Sequence, residues 1–240
     1  DVTDDYCVFG LFGPKSRDLM KSISKDNFDN DNFKFGTAKN ITIEGIKIWA
    51  QRLSYVGELG FELYVKFNDA KKIYELLIEK GKDFNLSNCG MHAMDIMRME
   101  SGFLHWGHDI SPEENQYQAG LSFTISNKKE VDFIGKQALE KIKKSKIKSR
   151  FAMFTLKESE PGKPLLLHDE PIYLDEKIIG RSTSGNYSFN FKKNLMFGYI
   201  QNDFSNEELQ YKNLFIEVEK RKYPIEILKK PLKNNSFKSL

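Results

Sequence analysis

The sequence lacks the features that mark several common classes of protein. It has only two cysteines, Cys7 and Cys89, without metal-ligand spacing, so we expect reduced thiols in a reducing compartment. No apolar run reaches the length of a membrane span, and no signal peptide is visible. The formal charge of +3 is too small to argue for nucleic-acid binding. These absences favour a soluble protein of the cytoplasm, or of the mitochondrial matrix in a eukaryote, with no membrane or nucleic-acid partner.

Motifs for the common cofactor and nucleophile sites are also missing. The chain has no nucleophile elbow, no P-loop and no zinc-ligand spacing. The segment Gly10-Leu-Phe-Gly13 lacks the third glycine and the helix context of a dinucleotide fingerprint. We therefore expect no metal ion and no nucleotide bound through the usual loops.

Bulky hydrophobic residues are plentiful and favour a folded chain. Of 240 residues, 40% are hydrophobic, with 19 Phe and 10 Tyr. In the first part, alternation and turn residues predict strands at 7–12, 41–53 and 121–126, where 41–53 is two strands joined at Glu44-Gly45. The same part has predicted helices that begin at Ser16 and that cover 68–81, 90–102 and 136–149. Asn68-Asp69 is expected to cap the second helix, and Met91, Met94 and Met97 to share a face of the third.

The pattern changes near residue 148. From Arg150 onward, turn residues separate short strands, at 151–156, 165–168, 172–174, 178–183, 196–200, 214–218 and 223–227. This pattern is typical of a small antiparallel barrel or sandwich. We place the boundary in the basic run 141–150, which has six positive charges and is either a solvated linker or a docking site for an anionic group. The expected fold class is α+β, with domains at 1–147 and 148–240.

Residues 52–65 form the most informative stretch. Val56, Phe61 and neighbouring residues favour strand, while Gly57 and Gly60 permit a sharp turn or close approach to a flat ligand. Two carboxylates, Glu58 and Glu62, are costly to bury unless they are paired. Such a carboxylate can accept two parallel N–H bonds from the amidine-like edge of a pterin. The alternative is a β-hairpin with surface glutamates.

A second segment, residues 93–110, collects further polar groups. Arg98 lies near the methionine face, where it either pairs with a carboxylate such as Glu62 or Asp109 or meets a ligand carboxylate. His105 and His108 flank Trp106, and the cluster with Asp109 suggests a metal or general-base site. Since no third ligand is near in sequence, a core or pocket wall built from Trp106 is the preferred interpretation.

Taken in order, these segments resemble the glycine-cleavage T-protein (aminomethyltransferase) superfamily, and most closely the folate-binding C-terminal half of dimethylglycine and sarcosine dehydrogenases. The resemblance covers nearly the whole chain. It is carried by Gly13-Pro14 with Ser16-Arg-Asp-Leu19, Tyr55-Val-Gly-Glu-Leu-Gly-Phe-Glu62, Arg98-Met-Glu100, His105-Trp-Gly-His-Asp-Ile110, Ala119-Gly-Leu121, Asp132-Phe-Ile-Gly-Lys136, Glu170-Pro-Ile172, Thr183-Ser-Gly185 and Gly198-Tyr199.

The resemblance implies α/β subdomains around a tetrahydrofolate site, followed by a C-terminal barrel. It implies that Glu62 grips the pterin and that Tyr55 packs near the folate. Tyr64, Glu58, Arg98 and Trp106 complete the candidate cofactor-binding residues. Two departures are Tyr117-Gln118, where the family has Pro-x-Glu, and Met94, where the T-protein branch has arginine.

The resemblance also implies an activity. The expected function is the one-carbon-transfer part of a dimethylglycine or sarcosine dehydrogenase-like enzyme, which accepts an oxidised N-methyl carbon to form 5,10-methylenetetrahydrofolate. Its partners are folate and a small N-methylated amine. The expected catalytic aspartate and the FAD domain lie upstream of this sequence, which begins without Met, so a processed or truncated N-terminus and an inactive isolated chain are expected. FAD then comes from an N-terminal domain or a partner subunit. The alternatives are a T-protein-like aminomethyltransferase or demethylase that works without FAD, and a non-catalytic folate-binding subunit.

Overall fold

Alternating hydrophobic residues build a four-stranded antiparallel sheet in the first part of the chain, with strand order β1-β4-β3-β2. The computed structural model describes residues 1–126, 132–234 and 236–239. In the first part the strands are β1 (Tyr6–Phe12), β2 (Ala38–Ile43), β3 (Ile46–Gln51) and β4 (Gly60–Lys66), and the helices are α1 (Ser16–Ile23), α2 (Phe67–Gly81) and α3 (Met91–Glu100). A 3₁₀ turn, Lys82–Phe84, follows α2.

One face of this sheet is the hydrophobic core. Phe61, Leu63 and Val65 alternate along β4 and are fully buried with residues of α1 and α2. Phe28 and Phe33 pack their rings 5.6 Å and 5.5 Å from that of Phe61. Because side chains alternate along a strand, residues 62 and 64 lie on the opposite face.

The predicted turn between β2 and β3 is present. Glu44 and Gly45 both have positive φ, 48° and 79°, as a two-residue hairpin of the primed type requires. The predicted cap of α2 is wrong: Lys66 is the N-cap residue and makes no side-chain cap bond, while Asn68 and Asp69 lie inside the first turn. On α3, Met91 is exposed and the buried positions are Ile96, Arg98, Met99 and Glu100.

The second part of the chain is built around a closed six-stranded antiparallel barrel with strand order β10-β5-β8-β7-β6-β9. Its strands are β5 (Ser149–Leu156), β6 (Pro171–Leu174), β7 (Lys177–Ser188), β8 (Lys193–Gln201), β9 (Leu214–Val218) and β10 (Arg221–Leu228), accompanied by α4 (Lys136–Lys144) and α5 (Asn206–Leu209). Closure leaves no strand edge in the barrel unpaired. The barrel and the mixed helix and strand content confirm the predicted fold class.

Three predicted elements differ from the structure. Residues 122–124 form a 3₁₀ turn in place of the strand predicted at 121–126, and residues 165–168 are irregular. The helix predicted at 136–149 ends at Lys144, because Ser149 already pairs with Gln201 in the barrel. The basic run therefore joins a helix to a strand, and Arg150 Nη2 donates to the carbonyl of Phe204 at 3.0 Å.

The contacts divide the chain into two compact units. Unit 1 comprises Asp1–Ser101 with Lys233–Leu240, and unit 2 comprises Gly102–Leu232. This division differs from the boundary at 147/148 drawn from composition. A change in the strand pattern locates the start of the barrel, but it carries no information on where residues 102–126 and 132–148 or the residues after 232 pack.

Candidate functional site

The outward face of the unit 1 sheet carries polar and aromatic side chains of the 52–65 motif. Glu62 and Tyr64 are half-buried neighbours on β4, and the Tyr64 hydroxyl donates to Glu62 Oε2 at 3.0 Å. Trp49 lies opposite Tyr64 on β3, with its ring 4.9 Å from the tyrosine ring at 52°. We call these three residues the Glu62 face. It combines an acceptor carboxylate with an aromatic pair that is partly open, since Trp49 is 44% exposed.

The two strands that flank β4 give Glu62 unequal neighbours. Gly10 of β1 is paired with Glu62 on one side, and Gln51 of β3 is paired with it on the other. Gly10 itself places no side chain beside the carboxylate, and the ring of Phe12 fills the space that a Cβ at Gly10 would take. Burial, followed by the hydrogen bond to Glu62, raises the pKa of Tyr64, so the tyrosine remains a neutral donor to the carboxylate.

A cavity of about 520 Å³ lies along β1, which is an edge strand of the sheet. We call it the β1 cavity. It wraps the edge of the strand: Val8, Gly10 and Phe12 line it from one side of β1, and Phe9 and Leu11 line it from the core side. Met94 and Met97 of α3 supply apolar wall. Its volume falls in the range of small-molecule sites, and an apolar wall near a few polar groups is typical of them.

Glu58 lines the same cavity but already has a partner. Its carboxylate forms an ion pair with Nζ of Lys233, and its backbone N–H donates to Ser54 Oγ at 2.9 Å. The Lys233 N–H also donates to the carbonyl of Glu100 at 2.8 Å. Glu58 therefore holds the C-terminal segment onto unit 1, a role that no local pattern around residue 58 indicates. Tyr55 is half-buried in the loop between β3 and β4.

The glycines of the motif make room for protein side chains. Gly57 has φ of +68°, and an added Cβ would collide with the Ser101 side chain. At Gly60 an added Cβ would collide with the Phe12 ring. The expectation that these two glycines admit a flat ligand is thus replaced by a packing role for both.

Arg98 is buried, with 1% of its side chain exposed. Its Nη2 lies 2.7 Å and its Nε 2.9 Å from Asp95 Oδ1. Asp95 is therefore a carboxylate partner that the sequence interpretation did not name, although the i,i+3 spacing on one helix is a recognisable signal. Glu62, one of the partners named instead, accepts from Tyr64. The packing favours the structural interpretation of Arg98.

The histidine segment belongs to unit 2 and is organised by a buried carboxylate. Asp109 accepts hydrogen bonds from the hydroxyls of Thr183 and Ser184 in β7 and, at 2.9 Å, from the backbone N–H of His105. The rings of His105 and His108 stack at 4.6 Å. Trp106 is 66% exposed, so it does not belong to a core, and its expected part in a pocket wall stays a prediction. The short loop turns its backbone inward to reach Asp109 and leaves the indole outside.

Beside this segment lies a polar cavity of about 270 Å³ in unit 2, with His108, Glu114, His168 and Arg181 in its lining. His168 and Arg181 both bond to the Asp169 carboxylate, which lowers its pKa. Within residues 1–126, 132–234 and 236–239, no group of three or more histidine, cysteine or acidic side chains is arranged to hold a metal ion. No helix in the same ranges is long and apolar enough to cross a membrane.

Trp49 and Phe12 are the site residues that the sequence interpretation missed. Alternation in β3, where Ile48 and Ala50 are buried, is enough to place Trp49 on the outward face. Its position opposite Tyr64 depends on the register of β3 against β4. The rules that relate loop length to register apply to short hairpin loops, and the connection between these two strands is longer.

The arrangement of sheet, helices and barrel matches a known class of fold. The crystal structure of the glycine cleavage system aminomethyltransferase T from Bartonella henselae superposes with a TM-score of 0.80, over 95% of this chain and 60% of that chain, at 20% identity. The chain thus has the aminomethyltransferase fold.

Family models narrow the assignment. The GCVT N-terminal domain matches residues 1–129, and the glycine cleavage T-protein C-terminal barrel domain matches residues 150–233. This protein belongs to the glycine cleavage T-protein family.

Individual relatives are longer than this chain. The mitochondrial dimethylglycine dehydrogenase of Homo sapiens is 33% identical over 232 residues, which are 97% of this chain and 26% of that protein. The 4-methylaminobutanoate oxidase (formaldehyde-forming) of Paenarthrobacter nicotinovorans is 37% identical over 187 residues, which are 78% and 22% of the two. The aminomethyltransferase of Symbiobacterium thermophilum is 31% identical over 201 residues, which are 83% and 52%. The chain therefore spans about a quarter of the dehydrogenase and about half of the aminomethyltransferase.

Proposed function

We propose that this chain is the tetrahydrofolate-binding, one-carbon-transfer part of an enzyme like dimethylglycine or sarcosine dehydrogenase. The observation that carries the proposal is the Glu62 carboxylate on the outward sheet face, half-buried, oriented by Tyr64 and paired with a glycine, Gly10, on β1. Similarity to dimethylglycine dehydrogenase along 97% of the chain supports the choice of branch.

The carboxylate has capacity for the ligand in addition to Tyr64. An ionised carboxylate offers about four lone-pair sites, and the tyrosine hydroxyl occupies one of them. The remaining sites can accept the two parallel N–H groups of a pterin amidine edge, and the charge strengthens both bonds. Tyr64 fixes the rotamer of Glu62, so less conformational freedom is lost on binding.

The apolar surroundings suit the rest of the ligand. The walls of the β1 cavity and the Trp49–Tyr64 pair can bury the faces of the ring, which excludes water from its reactive nitrogens. Tyr55 is the remaining candidate contact from the motif, while Glu58, Arg98 and Trp106 have weaker support because of their partners or their exposure.

In the proposed reaction, the oxidation step takes place outside this chain. FAD, held by another domain or subunit, supplies the oxidation of a small N-methylated amine, and tetrahydrofolate carries the one-carbon unit away as 5,10-methylenetetrahydrofolate. The residues of this chain bind and orient the folate, and holding it close to the amine limits loss of the carbon to water. We propose that the chain alone binds folate without turnover, in the cytoplasm or the mitochondrial matrix.

Isothermal titration with tetrahydrofolate tests the proposal. Glu62→Gln keeps the shape but removes the charge and one acceptor, and we expect affinity to fall about 30-fold, for a loss of about 2 kcal/mol. The matched control is Glu75→Gln on α2, whose carboxylate is exposed and faces solvent. A parent chain that gives no binding heat, or a Glu62→Gln variant that binds as the parent does, would contradict the proposal.

An aminomethyltransferase that uses folate without FAD is the second candidate, supported by the 31% identity with the Symbiobacterium thermophilum enzyme. A non-catalytic folate-binding subunit is the third. Pull-down of a flavoprotein from the native host, followed by folate-dependent oxidation of N-methylated amines by the reconstituted pair, supports the first candidate. Binding of folate by the native protein, with neither a flavoprotein partner nor bound FAD of its own, favours the other two.

A further inference from the structure

A phenylalanine ring lies across two neighbouring strands beside Glu62. Phe12 is paired with Gly60, and Gly10 is paired with Glu62. A Cβ added at Gly10 would lie 2.6 Å from Phe12 Cε2, and one added at Gly60 would collide with Cδ1 on the opposite side of the same ring. The ring of Phe12 therefore spans the two glycines and occupies positions where any other residue would place a side chain.

The two glycines weaken the sheet in which they stand. Glycine in a strand costs about 0.5–1 kcal/mol relative to alanine, because its chain loses more freedom and no side chain packs. Phe12 gives little back as core packing, since its side chain is only partly buried and faces away from Phe61 and Leu63. Residues that destabilise an element locally without a compensating packing contact are typical of functional sites.

The position of the ring relates it to the proposed ligand. Phe12 and Gly10 both line the β1 cavity, and Gly10 is the neighbour of Glu62 that has no side chain. A flat bicycle whose edge meets the Glu62 carboxylate from this side extends over Gly10. The group that it meets there is the Phe12 ring.

We propose that Phe12 is a ligand-contacting residue that stacks against the bicyclic ring of the pterin, with Gly10 and Gly60 holding it in place. This inference rests on the proposed folate-binding function. Glu62 bonds to the edge of the bicyclic ring, and Phe12 is assigned as the residue that contacts its flat face. Offset or tilted ring packing of this kind contributes beyond the burial of area.

Titration with two ligands distinguishes a contact with the bicyclic pterin ring from a contact with the aminobenzoylglutamate tail. Tetrahydrofolate carries the bicycle and the aminobenzoylglutamate, whereas 6-methyltetrahydropterin carries the bicycle alone. We expect Phe12→Leu to weaken both by the same factor, about tenfold, and Phe12→Tyr, which keeps the ring, to bind both within about twofold of the parent. Gly10→Ala, which leaves Phe12 in the chain but displaces its ring, is expected to weaken both to a similar extent.

Phe67→Leu is the matched control, because Phe67 is an exposed phenylalanine of unit 1 outside the cavity lining. Thermal unfolding and circular dichroism of each variant check the fold separately from the titrations. The inference is overturned if Phe12→Leu binds both ligands as the parent does, if only tetrahydrofolate weakens, or if Phe12→Tyr is as weak as Phe12→Leu. If the parent binds and Glu62→Gln weakens it while Phe12→Leu does not, this inference fails and the proposed function stands. If the parent binds neither ligand, both fail.

Discussion

The barrel and the unit 1 sheet both place glycines in neighbouring strands, but different groups fill the space that each missing Cβ leaves. At Gly180 and Gly198 of the barrel the nearest atoms are backbone carbonyl oxygens, those of Tyr199 and Arg181. At Gly10 of the sheet the three nearest atoms all belong to the ring of Phe12, and at Gly60 the same ring is nearest, with the carbonyl oxygen of Leu11 next at 2.8 Å. A backbone atom cannot move without breaking a ladder, whereas a ring can rotate. Gly180 and Gly198 therefore maintain the fold, whereas Gly10 maintains the position of one side chain.

Polar groups follow the same division. The barrel buries Ser182, Thr183, Ser184 and Ser188, and several of them bond within the protein, as Thr183 and Ser184 do with Asp109. The outward face of the sheet leaves Glu62 and Tyr64 half-buried and Trp49 partly exposed. Unit 2 thus uses these buried hydroxyls for its own stability, while the outward face of unit 1 leaves a carboxylate and aromatic rings partly exposed.

The largest expected effect is on the stability of the barrel. Gly180→Ala forces a Cβ against the carbonyl of Tyr199, and we expect a loss of about 3 kcal/mol in the free energy of unfolding. Gly10→Ala, which meets only the Phe12 ring, is expected to cost less than about 1 kcal/mol. Amide hydrogen exchange followed by mass spectrometry measures the barrel strands and the sheet separately, so neither value assumes a single unfolding transition. Equal destabilisation by the two variants would break the comparison.

An intermediate effect is expected at the buried carboxylate of unit 2. Thr183→Val removes one hydroxyl donor from Asp109 and leaves Ser184 and the His105 N–H, so we expect a loss of about 2 kcal/mol. Faster amide exchange in residues 105–110 is the local readout. Thr183→Ser keeps the donor and serves as the matched control. A valine variant as stable as the serine variant would show that the hydroxyl is dispensable.

The smallest effect is electrostatic and belongs to the Glu62 face. Glu62 raises the pKa of Tyr64, after the larger effect of burial, because both its hydrogen bond and its charge disfavour the tyrosinate. Glu62→Gln removes the charge, so the pKa of Tyr64 should fall while staying above its ordinary value. Alkaline titration of tyrosinate absorbance measures the change, and Tyr64→Phe identifies the transition among the ten tyrosines. An unchanged titration would mean that Glu62 and Tyr64 are not coupled in solution.

Local patterns predicted much of the fold. Alternation predicted β1, the two-strand hairpin at Glu44-Gly45 and six of the barrel strands, because each depends on residues close in sequence. The failures at 121–126 and 165–168 are short apolar runs without a strand partner in the structure. Such runs become strands only where a neighbour completes the ladder, and no local pattern encodes that neighbour.

The candidate site shows the same limit. The motif led to Glu62 and Tyr64, which the structure places side by side, but their roles in binding stay predictions. The contacts of Phe12 with Gly10 and Gly60 depend on strand register, and the ion pair of Lys233 with Glu58 joins residues far apart in sequence. Neither follows from a local pattern. Asp95 as a partner of Arg98 was within reach, because both lie on one helix turn.

The bonds of Lys233 to Glu58 and to the carbonyl of Glu100 can form only late in the synthesis of these residues. A ribosome synthesises the unit 1 residues up to Ser101 before unit 2, and the segment that begins at Lys233 only after both. The motif loop consequently emerges long before the lysine that holds it, and the nascent sheet acquires this tether only after the barrel strands have been made.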